Sequence, residues 1–257
     1  MRFLHVIGAR PNYIKVFPLY KAMTRKGHTC EIVNTEQHWD DNLSATFMHQ
    51  FDLPPMNHLH CNTSDIGTLM TELEDSVDWE QWDVTIIYGD VNSSLAGAIT
   101  SVHNKVPVAH VEAGPRLDTL SAPEMVNRIA IDSISTWHFC CTKHDMINLH
   151  KEGITGQLVG DLMLDTFCLM DDKVEPWSID DDYNVLTLHR EENLRNREHI
   201  KGILQGILDT KEKFIFPMHP RTRKALTDWD LMSLVEDNFQ ITVQEPVSYL
   251  EMMRYIK

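Results

Sequence analysis

The sequence predicts an α/β protein of two doubly wound parallel-sheet units, and three observations support this fold class. Short apolar runs alternate along the chain with segments of helical periodicity. The runs lack the polar alternation of a half-exposed strand, which indicates strands covered on both faces by helices. An acidic stretch at 171–182, with six acids and one proline, interrupts the alternation and predicts a linker.

The first unit is predicted over residues 1–170. Its expected strands are apolar runs that end in glycine or charged residues, and they lie at 3–7, 31–35, 84–88, 106–111 and 138–141. Helices between them are indicated by apolar residues three or four positions apart. They are a helix around 14–23 ended by Gly27, one carrying Leu43, Phe47 and Phe51, one capped by Ser64 with Leu69, Leu73 and Val77 buried, and helices at 94–102 and 124–135.

The second unit is predicted over residues 183–257, where the same alternation resumes. Its expected strands lie at 185–188, 214–218 and 239–243, and its helices lie at 198–210 and 248–256. A three-stranded parallel sheet has an edge that needs covering, so we expect this unit to be incomplete.

Composition narrows the classes of function. The chain has 23 basic and 38 acidic residues, a net charge of −15, which argues against nucleic acid or an anionic membrane as a partner. It contains neither a cleavable leader pattern nor an apolar run of about 18 residues, so we expect no membrane span. The five cysteines match no disulfide or zinc framework, and reduced thiols in the cytoplasm are the default expectation.

Charged side chains follow five predicted strands, at the sheet edges where open α/β folds bind ligands. Three are carboxylates, namely Asp90, Glu112 and Glu124. The others are cations or imidazoles, namely Arg10, Lys15, Arg116, His189, Arg190, His219 and Arg221. Crowded carboxylates can exchange protons with a substrate, and arginines or helix N-termini can hold phosphates. The pattern therefore favours acid–base chemistry on a phosphorylated or nucleotide-linked substrate.

Structural explanations stand beside these assignments. Asp90 could cap the helix that follows it, and Glu124 could be an ordinary first-turn charge. Arg10 and Lys15 could be surface cations, and His189 is as compatible with structure as with a site. The chain lacks the GxGxxG, Walker and HExxH patterns, so we expect neither a dinucleotide cofactor nor a metal.

Eight stretches of sequence, in order and spacing, resemble the non-hydrolysing UDP-N-acetylglucosamine 2-epimerases. They are Gly8–Pro11 with Ile14 and Lys15, Thr35–His38, Gly89–Ser94, His110–Arg116, Pro123–Arg128, Thr187–Asn193, His219–Arg223 and Glu245–Pro246. The resemblance implies a GT-B-like fold of two Rossmann-like domains. It also implies interconversion of UDP-N-acetylglucosamine and UDP-N-acetylmannosamine through loss and return of UDP.

By the same resemblance, Asp90, Glu112 and Glu124 form the acid–base set, and His189 with Arg10 and Lys15 serves the diphosphate and sugar. The chain departs from the family pattern at several positions, among them Glu36, where glycine is usual. Family members also continue beyond Lys257 into a segment that holds the nucleotide. The resemblance therefore implies a C-terminally truncated chain, which is completed by a second polypeptide, is a fragment, or has lost activity. Family members are usually dimers, so a homodimer is also expected.

Three other functions remain open at this point. A hydrolysing relative would release free N-acetylmannosamine and UDP. A non-catalytic protein would bind the nucleotide sugar without exchanging its proton with solvent. A GT-B glycosyltransferase is disfavoured because the three carboxylates match the epimerase set.

Overall fold

Seven parallel strands form the sheet of the first unit, Met1–Leu169, in the computed structural model, which describes residues 1–37, 48, 50–117, 122–175 and 182–257. The strands are β1 (Arg2–Ile7), β2 (Thr29–Asn34), β3 (Asn57–His58), β4 (Val84–Tyr88), β5 (Val108–Val111), β6 (Trp137–Cys140) and β7 (Gln157–Leu158). Their order across the sheet is β3-β2-β1-β4-β5-β6-β7, and every neighbouring pair is parallel. This is the Rossmann order with one strand added at the far edge.

Six helices whose bounds lie within the described residues connect or follow these strands. They are α1 (Arg10–Arg25), α2 (Ile66–Ser76), α3 (Asn92–His103), α4 (Pro123–Ile134), α5 (Lys143–Lys151) and α6 (Leu162–Met170). Helix α2 buries Leu69 and Leu73 as predicted. The predicted Ser64 cap is wrong, because the Asp65 carboxylate accepts the Thr68 N–H at 2.8 Å instead.

The central strands explain why the sheet could be read from the sequence. Strands β4 and β5 are buried along their whole length, and Leu4 and Val6 of β1 are wholly buried. A strand enclosed on both faces is apolar at every position, so its sequence shows a continuous run. Strands β3 and β7 are two residues long and lack such a run, and neither was predicted.

The second unit, Met170–Lys257, contains a three-stranded parallel sheet, as predicted. Its strands are β8 (Asn184–Val185), β9 (Phe214–Pro217) and β10 (Ile241–Gln244), in the order β10-β9-β8. Its helices are α7 (Arg197–Asp209), α8 (Pro220–Asp228), α9 (Ser233–Glu236) and α10 (Tyr249–Ile256), with 3₁₀ turns at Asp171–Lys173 and Glu191–Leu194. The predicted strand at 239–243 begins later than expected, and Phe239 is 89% exposed.

A few further outcomes complete the comparison with the sequence. Helices α5, α6, α8 and α9 were not predicted. Leu43 and Phe47 of the expected second helix lie outside the described residues, whereas Phe51 is buried with its ring 5.0 Å from that of Phe17. Within the described ranges, none of the helices has the length and hydropathy needed to cross a membrane.

Candidate active site

The carboxyl ends of β1, β4 and β5 carry the candidate residues of the first unit. Chain order reverses across this part of the sheet, because β2 and β3 lie on one side of β1 and β4 to β7 on the other. Such a switch point opens a crevice in doubly wound sheets, since the helices leave it in opposite directions. Lys15 lies in α1, Asp90 directly follows the turn after β4, and Glu112 is the first residue after β5.

Lys15 and Glu112 form an ion pair at this edge. The Lys15 Nζ lies 2.6 Å from Oε2 of Glu112, and the two side chains are only 11% and 18% exposed. The alternative that Lys15 is an ordinary surface cation is therefore wrong. A charge pair so little exposed is screened weakly by solvent and holds both groups in fixed positions.

Asp90 is held by an arginine that was not singled out from the sequence. Arg128, in α4, donates from Nη2 to Oδ2 of Asp90 at 2.6 Å and from Nη1 to the backbone carbonyl of Glu112. One guanidinium thus ties the two candidate carboxylate residues together. Asp90 does not cap α3, since the cap residue is Val91 and its side chain makes no capping bond.

The turns that present these carboxylates have left-handed backbone conformations. Gly89 has φ +64°, and a Cβ there would lie 3.2 Å from Oε2 of Glu112. Glu112 has φ +65°, which costs free energy for a residue with a side chain. Strained conformations of this kind persist where surrounding contacts enforce them, and they are concentrated at functional sites.

A second polar cluster lies at the ends of β1 and β2 and the start of α3. Thr35 Oγ1 and Ser93 Oγ are 2.6 Å apart, and Gln37 Oε1 accepts the Ser93 N–H at 2.8 Å. A Cβ on Gly8 would lie 2.0 Å from Ser93 Oγ, so glycine is required at that position. This packing places the start of α1 against α3.

Glu124 and Arg10 are exposed, unlike the ion-paired residues. Glu124 lies in the first turn of α4, four residues before Arg128, so it shares a helix face with the arginine that holds Asp90. Arg10 is the first residue of α1. Both positions border the edge of the sheet that carries Lys15, Asp90 and Glu112.

Arg116 is engaged within the protein. Its Nη1 lies 2.8 Å from Oδ2 of Asp132, and its Nη2 lies 2.6 Å from Oε2 of Glu152. The guanidinium is 13% exposed, so these contacts give it a structural role in the first unit. Its predicted contact with a substrate stays a prediction.

One group of side chains near the Lys15–Glu112 pair has the spacing of metal ligands. Ligand atoms of Glu112, Cys141 and Asp161 all lie within 4.8 Å of one another. Burial, followed by the charges of Glu112 and Asp161, raises the pKa of Cys141 to about 12, so the thiol keeps its proton. A protonated thiol is a poor ligand, and the Lys15 ammonium already supplies a positive partner for Glu112.

Glu36 shows how this chain accommodates its departure from the family pattern. Its φ is +56°, a conformation that glycine adopts without strain. Its carboxylate is 1% exposed and contacts Nδ1 of His58 and, at 2.7 Å, Nδ1 of His60. Two imidazoles thus lie directly against the buried carboxylate.

The candidates of the second unit gather near the start of α8. The rings of His189 and His219 have centroids 5.7 Å apart. His219 caps α8, since its Nδ1 accepts the Arg221 N–H at 3.1 Å. His189, Arg190 and Arg221 are exposed. The first-turn N–H groups of α8 are engaged, since Pro220 has none and His219 accepts those of Arg221, Thr222 and Arg223, so only the helix dipole and the exposed side chains favour an anion there.

Sequence reasoning missed the residues that hold the site together. Arg128, Asp132 and Asn127 all lie on α4, where Asn127 donates to the Asp90 carbonyl at 2.9 Å. Their spacing of one and four residues is a weak signal for a shared helix face. Only the packing of α4 beside β4 and β5 reveals their partners.

Comparison with known proteins identifies the family. The family described as UDP-N-acetylglucosamine 2-epimerase matches residues 21–257. A UDP-N-acetylglucosamine 2-epimerase of Methanocaldococcus jannaschii is 34% identical over 98% of this chain and 75% of its own length. A UDP-2,3-diacetamido-2,3-dideoxy-D-glucuronate 2-epimerase of Pseudomonas aeruginosa is 33% identical over the same shares.

Solved structures support the fold. The M. jannaschii enzyme in complex with UDP-GlcNAc and UDP matches with a TM-score of 0.81 and 33% identity, over 98% of this chain and 75% of that one. The Neisseria meningitidis enzyme bound to UDP-GlcNAc gives 0.84 and 25% identity, over 98% and 74%. The predicted fold class is confirmed, and the chain belongs to the UDP-N-acetylglucosamine 2-epimerase family.

Proposed function

We propose that this protein interconverts UDP-N-acetylglucosamine and UDP-N-acetylmannosamine by elimination and re-addition of UDP. The observation that carries the proposal is the paired arrangement of Lys15 with Glu112 and Arg128 with Asp90, in a chain of this family. It provides acid–base groups and a cation at one crevice of the sheet, and these are the groups that such a reaction requires.

The reaction inverts one carbon in two balanced stages. A base removes the proton from the acetamido-bearing carbon C2, and the C–H electron pair forms a double bond to C1. The C1–O bond breaks, and UDP leaves with its electron pair. In the return stage a proton is delivered to the opposite face of C2, and a UDP oxygen attacks C1. Two acid–base groups are needed because the proton leaves from one face and arrives on the other.

Asp90, Glu112 and Glu124 are the acid–base groups of the proposal. Asp90 and Glu112 are fixed by Arg128 and Lys15, and such preorganisation avoids a reorganisation cost during the reaction. Glu124 is exposed at the start of α4, where a bound substrate would cover it.

Cations bind the diphosphate in the proposal. In the first unit, Arg10 is exposed, and the Lys15 ammonium has donor hydrogens beyond the one directed at Glu112, so it can bind a phosphate oxygen as well. In the second unit, the His189 and His219 rings lie together at the start of α8, and the exposed Arg190 and Arg221 are adjacent to them in sequence; the helix dipole there also favours an anion.

A second substrate class has a specific observation in its favour. The P. aeruginosa relative is named for a diacetamido-glucuronate nucleotide sugar, and it is as similar to this chain as several N-acetylglucosamine enzymes are. Both substrates carry an acetamido group on the carbon that is inverted. Comparing kcat/KM for the two UDP-sugars determines which of them is the preferred substrate.

Solvent exchange tests the proposed function. In heavy water, the protein is expected to catalyse incorporation of deuterium at C2 of UDP-N-acetylglucosamine. Mass spectrometry and proton NMR measure the deuterium content at that carbon. Glu112→Gln should reduce exchange by about a thousandfold, whereas Glu74→Gln, at an exposed position of α2, should not.

The outcomes of this test separate the alternatives. Accumulation of free N-acetylmannosamine would indicate the hydrolysing reaction. Binding of the nucleotide sugar without any exchange would indicate a non-catalytic binding protein. Exchange that survives in Glu112→Gln would refute the role given to Glu112.

A further inference from the structure

A buried histidine connects the two turns that carry the candidate carboxylates. His110 lies in β5, two residues before Glu112, and is 0% exposed. Its Nε2 lies 2.8 Å from the carbonyl oxygen of Gly89, which directly precedes Asp90. Its Nδ1 lies 2.6 Å from Oδ1 of Asp132 in α4. The imidazole therefore connects the Gly89 turn to helix α4.

Asp132 in turn holds the loop that follows Glu112. Its Oδ2 accepts the backbone N–H of Gly114 at 3.2 Å and lies 2.8 Å from Nη1 of Arg116. Asp132 is 1% exposed. One carboxylate thus joins the Gly114 loop to the imidazole, and the imidazole joins that carboxylate to the Gly89 turn.

The partners of His110 determine its protonation. A backbone carbonyl only accepts hydrogen bonds, and an ionised carboxylate only accepts. Both ring nitrogens must then donate, which makes the ring a buried imidazolium. Burial alone would raise the pKa of Asp132, but hydrogen bonds and charges from His110 and Arg116 outweigh burial and lower it. The charges of the cluster balance, since Glu152, which is exposed, supplies a second carboxylate to Arg116.

We propose that His110, held as an imidazolium by Asp132, is a positioning residue that fixes the Gly89–Asp90 turn relative to the Glu112–Gly114 turn. The proposal rests on the proposed function in that Asp90 and Glu112 are taken as acid–base groups. His110 touches neither carboxylate. It acts through the backbone of the residue before Asp90 and, by way of Asp132, through the residue two positions after Glu112.

The geometry of the turns explains why such a connection is needed. Glu112 has a left-handed conformation that the local sequence does not favour. Arg128 ties the Asp90 carboxylate to the Glu112 carbonyl, but its guanidinium is on a flexible stem. A buried ring with both nitrogens bonded is rigid, and misplacing a catalytic group by about 1 Å can cost about a hundredfold in rate.

The protonation state of His110 is tested on the protein without substrate. In a chain labelled with ¹⁵N at histidine, both His110 nitrogens are expected to carry a proton, because each faces an acceptor. His138, its buried neighbour in β6, serves as the internal reference, since its Nε2 contacts the Asp132 backbone carbonyl at 2.7 Å. A neutral His110 ring at pH 7, with one nitrogen unprotonated, would overturn the imidazolium.

Two substitutions separate the contacts of the ring. His110→Gln keeps a donor near the Nε2 position, toward Gly89, and His110→Asn keeps one near the Nδ1 position, toward Asp132. We expect His110→Asn to lower kcat about a hundredfold with KM within about threefold, and His110→Gln to retain more than a tenth of kcat. The matched control His138→Gln should stay within about twofold.

The remaining outcomes decide the proposal even if a variant does not fold or the chain is inactive. Equal losses of kcat in His110→Asn and His110→Gln would contradict a role through Gly89. Amide exchange gives a readout without catalysis, because the Gly89 N–H donates to the Val111 carbonyl at 3.0 Å. Its exchange should accelerate at least tenfold in His110→Asn and not in His138→Gln, and unchanged exchange would overturn the positioning role. An inactive wild type with these NMR results would refute only the proposed function.

Discussion

In the first unit, Lys15, Asp90 and Glu112 are ion-paired and largely enclosed, whereas in the second unit His189, Arg190 and Arg221 are exposed. The sheets explain this difference. Seven strands leave several central strand ends surrounded by neighbours, and three strands leave only β9 between two others. We therefore expect the first unit to set the rate of the chemical step and the second unit to set affinity for the nucleotide.

The largest effect should come from breaking the ion pair between Lys15, in α1, and Glu112, directly after β5. Lys15→Met removes the cation beside Glu112, and we expect kcat to fall about a thousandfold in steady-state epimerisation. Lys21→Met is the control on the same helix, because Lys21 lies against the Phe17 ring, 5.1 Å from its centroid. A rise in KM with kcat unchanged would place Lys15 in binding alone.

The next largest expected effect is on the free energy of unfolding and comes from replacing the buried Glu36. Glu36→Ala removes a buried carboxylate that contacts two imidazoles and should lower the free energy of unfolding by about 2 kcal/mol, below the range for fully buried pairs because the His60 side chain is 65% exposed. Glu36→Gly should be about 1 kcal/mol less destabilising than Glu36→Ala, because glycine tolerates φ +56°.

Urea unfolding measures both Glu36 variants. Lys211 in the second unit provides the control for backbone strain, since it has φ +61° at an exposed turn after α7. Lys211→Gly should stabilise the protein slightly. Glu36→Gly and Glu36→Ala of equal stability would show that the left-handed conformation of Glu36 carries no cost.

The exposed cations of the second unit should show a smaller effect, on binding. Arg221→Gln is expected to weaken UDP binding about tenfold in titration calorimetry, since one charge-assisted contact to phosphate is lost. Arg223→Gln, two residues along α8, is the matched control because Arg223 pairs with Glu245 at 2.8 Å. Equal affinities of the two variants would remove the start of α8 from the nucleotide site.

The sequence predicted the centre of the first sheet well for a physical reason. Strands β1, β4 and β5 are largely enclosed, so most of their residues are apolar whatever their partners are, with His5, Thr85 and His110 as buried polar exceptions. Edge strands such as β3 bury few residues, so their sequence contains no continuous apolar run. Helix α5 was missed although Thr142 and Asp145 form a capping box, a local signal that sequence reasoning can use.

The residues of the candidate site also fall into two groups, those predicted from the sequence and those revealed only by the packing. Lys15, Asp90 and Glu112 were found because each lies at or near a strand end, and parallel topology brings strand ends together. Arg128 and the His110–Asp132 pair were missed because their roles depend on which helix packs beside β4 and β5. Arg116 was also selected because it follows a strand, but Asp132 and Glu152 bind its guanidinium. No local sequence pattern predicts those two partners.

The smallest expected effect concerns His5, a buried histidine that contrasts with the exposed His189. Burial lowers the pKa of His5 from 6.5 to about 3, and its Nε2 has no hydrogen-bond partner among the residues that the structure describes. Between these two values the unfolded chain binds a proton that the folded chain does not. Stability should therefore be fully present above pH 6.5 and decline as the pH falls.

His5→Phe removes this titration while keeping a ring beside Tyr88. The variant should be about 1 kcal/mol less stable at pH 7.5, because the Tyr88 hydroxyl loses its 2.7 Å contact with Nδ1. Between pH 7 and pH 6 the wild type should lose under about 1 kcal/mol more than His5→Phe in urea unfolding. Parallel pH profiles for wild type and His5→Phe would mean that His5 gains a proton in the folded chain, contrary to its enclosure beside Tyr88.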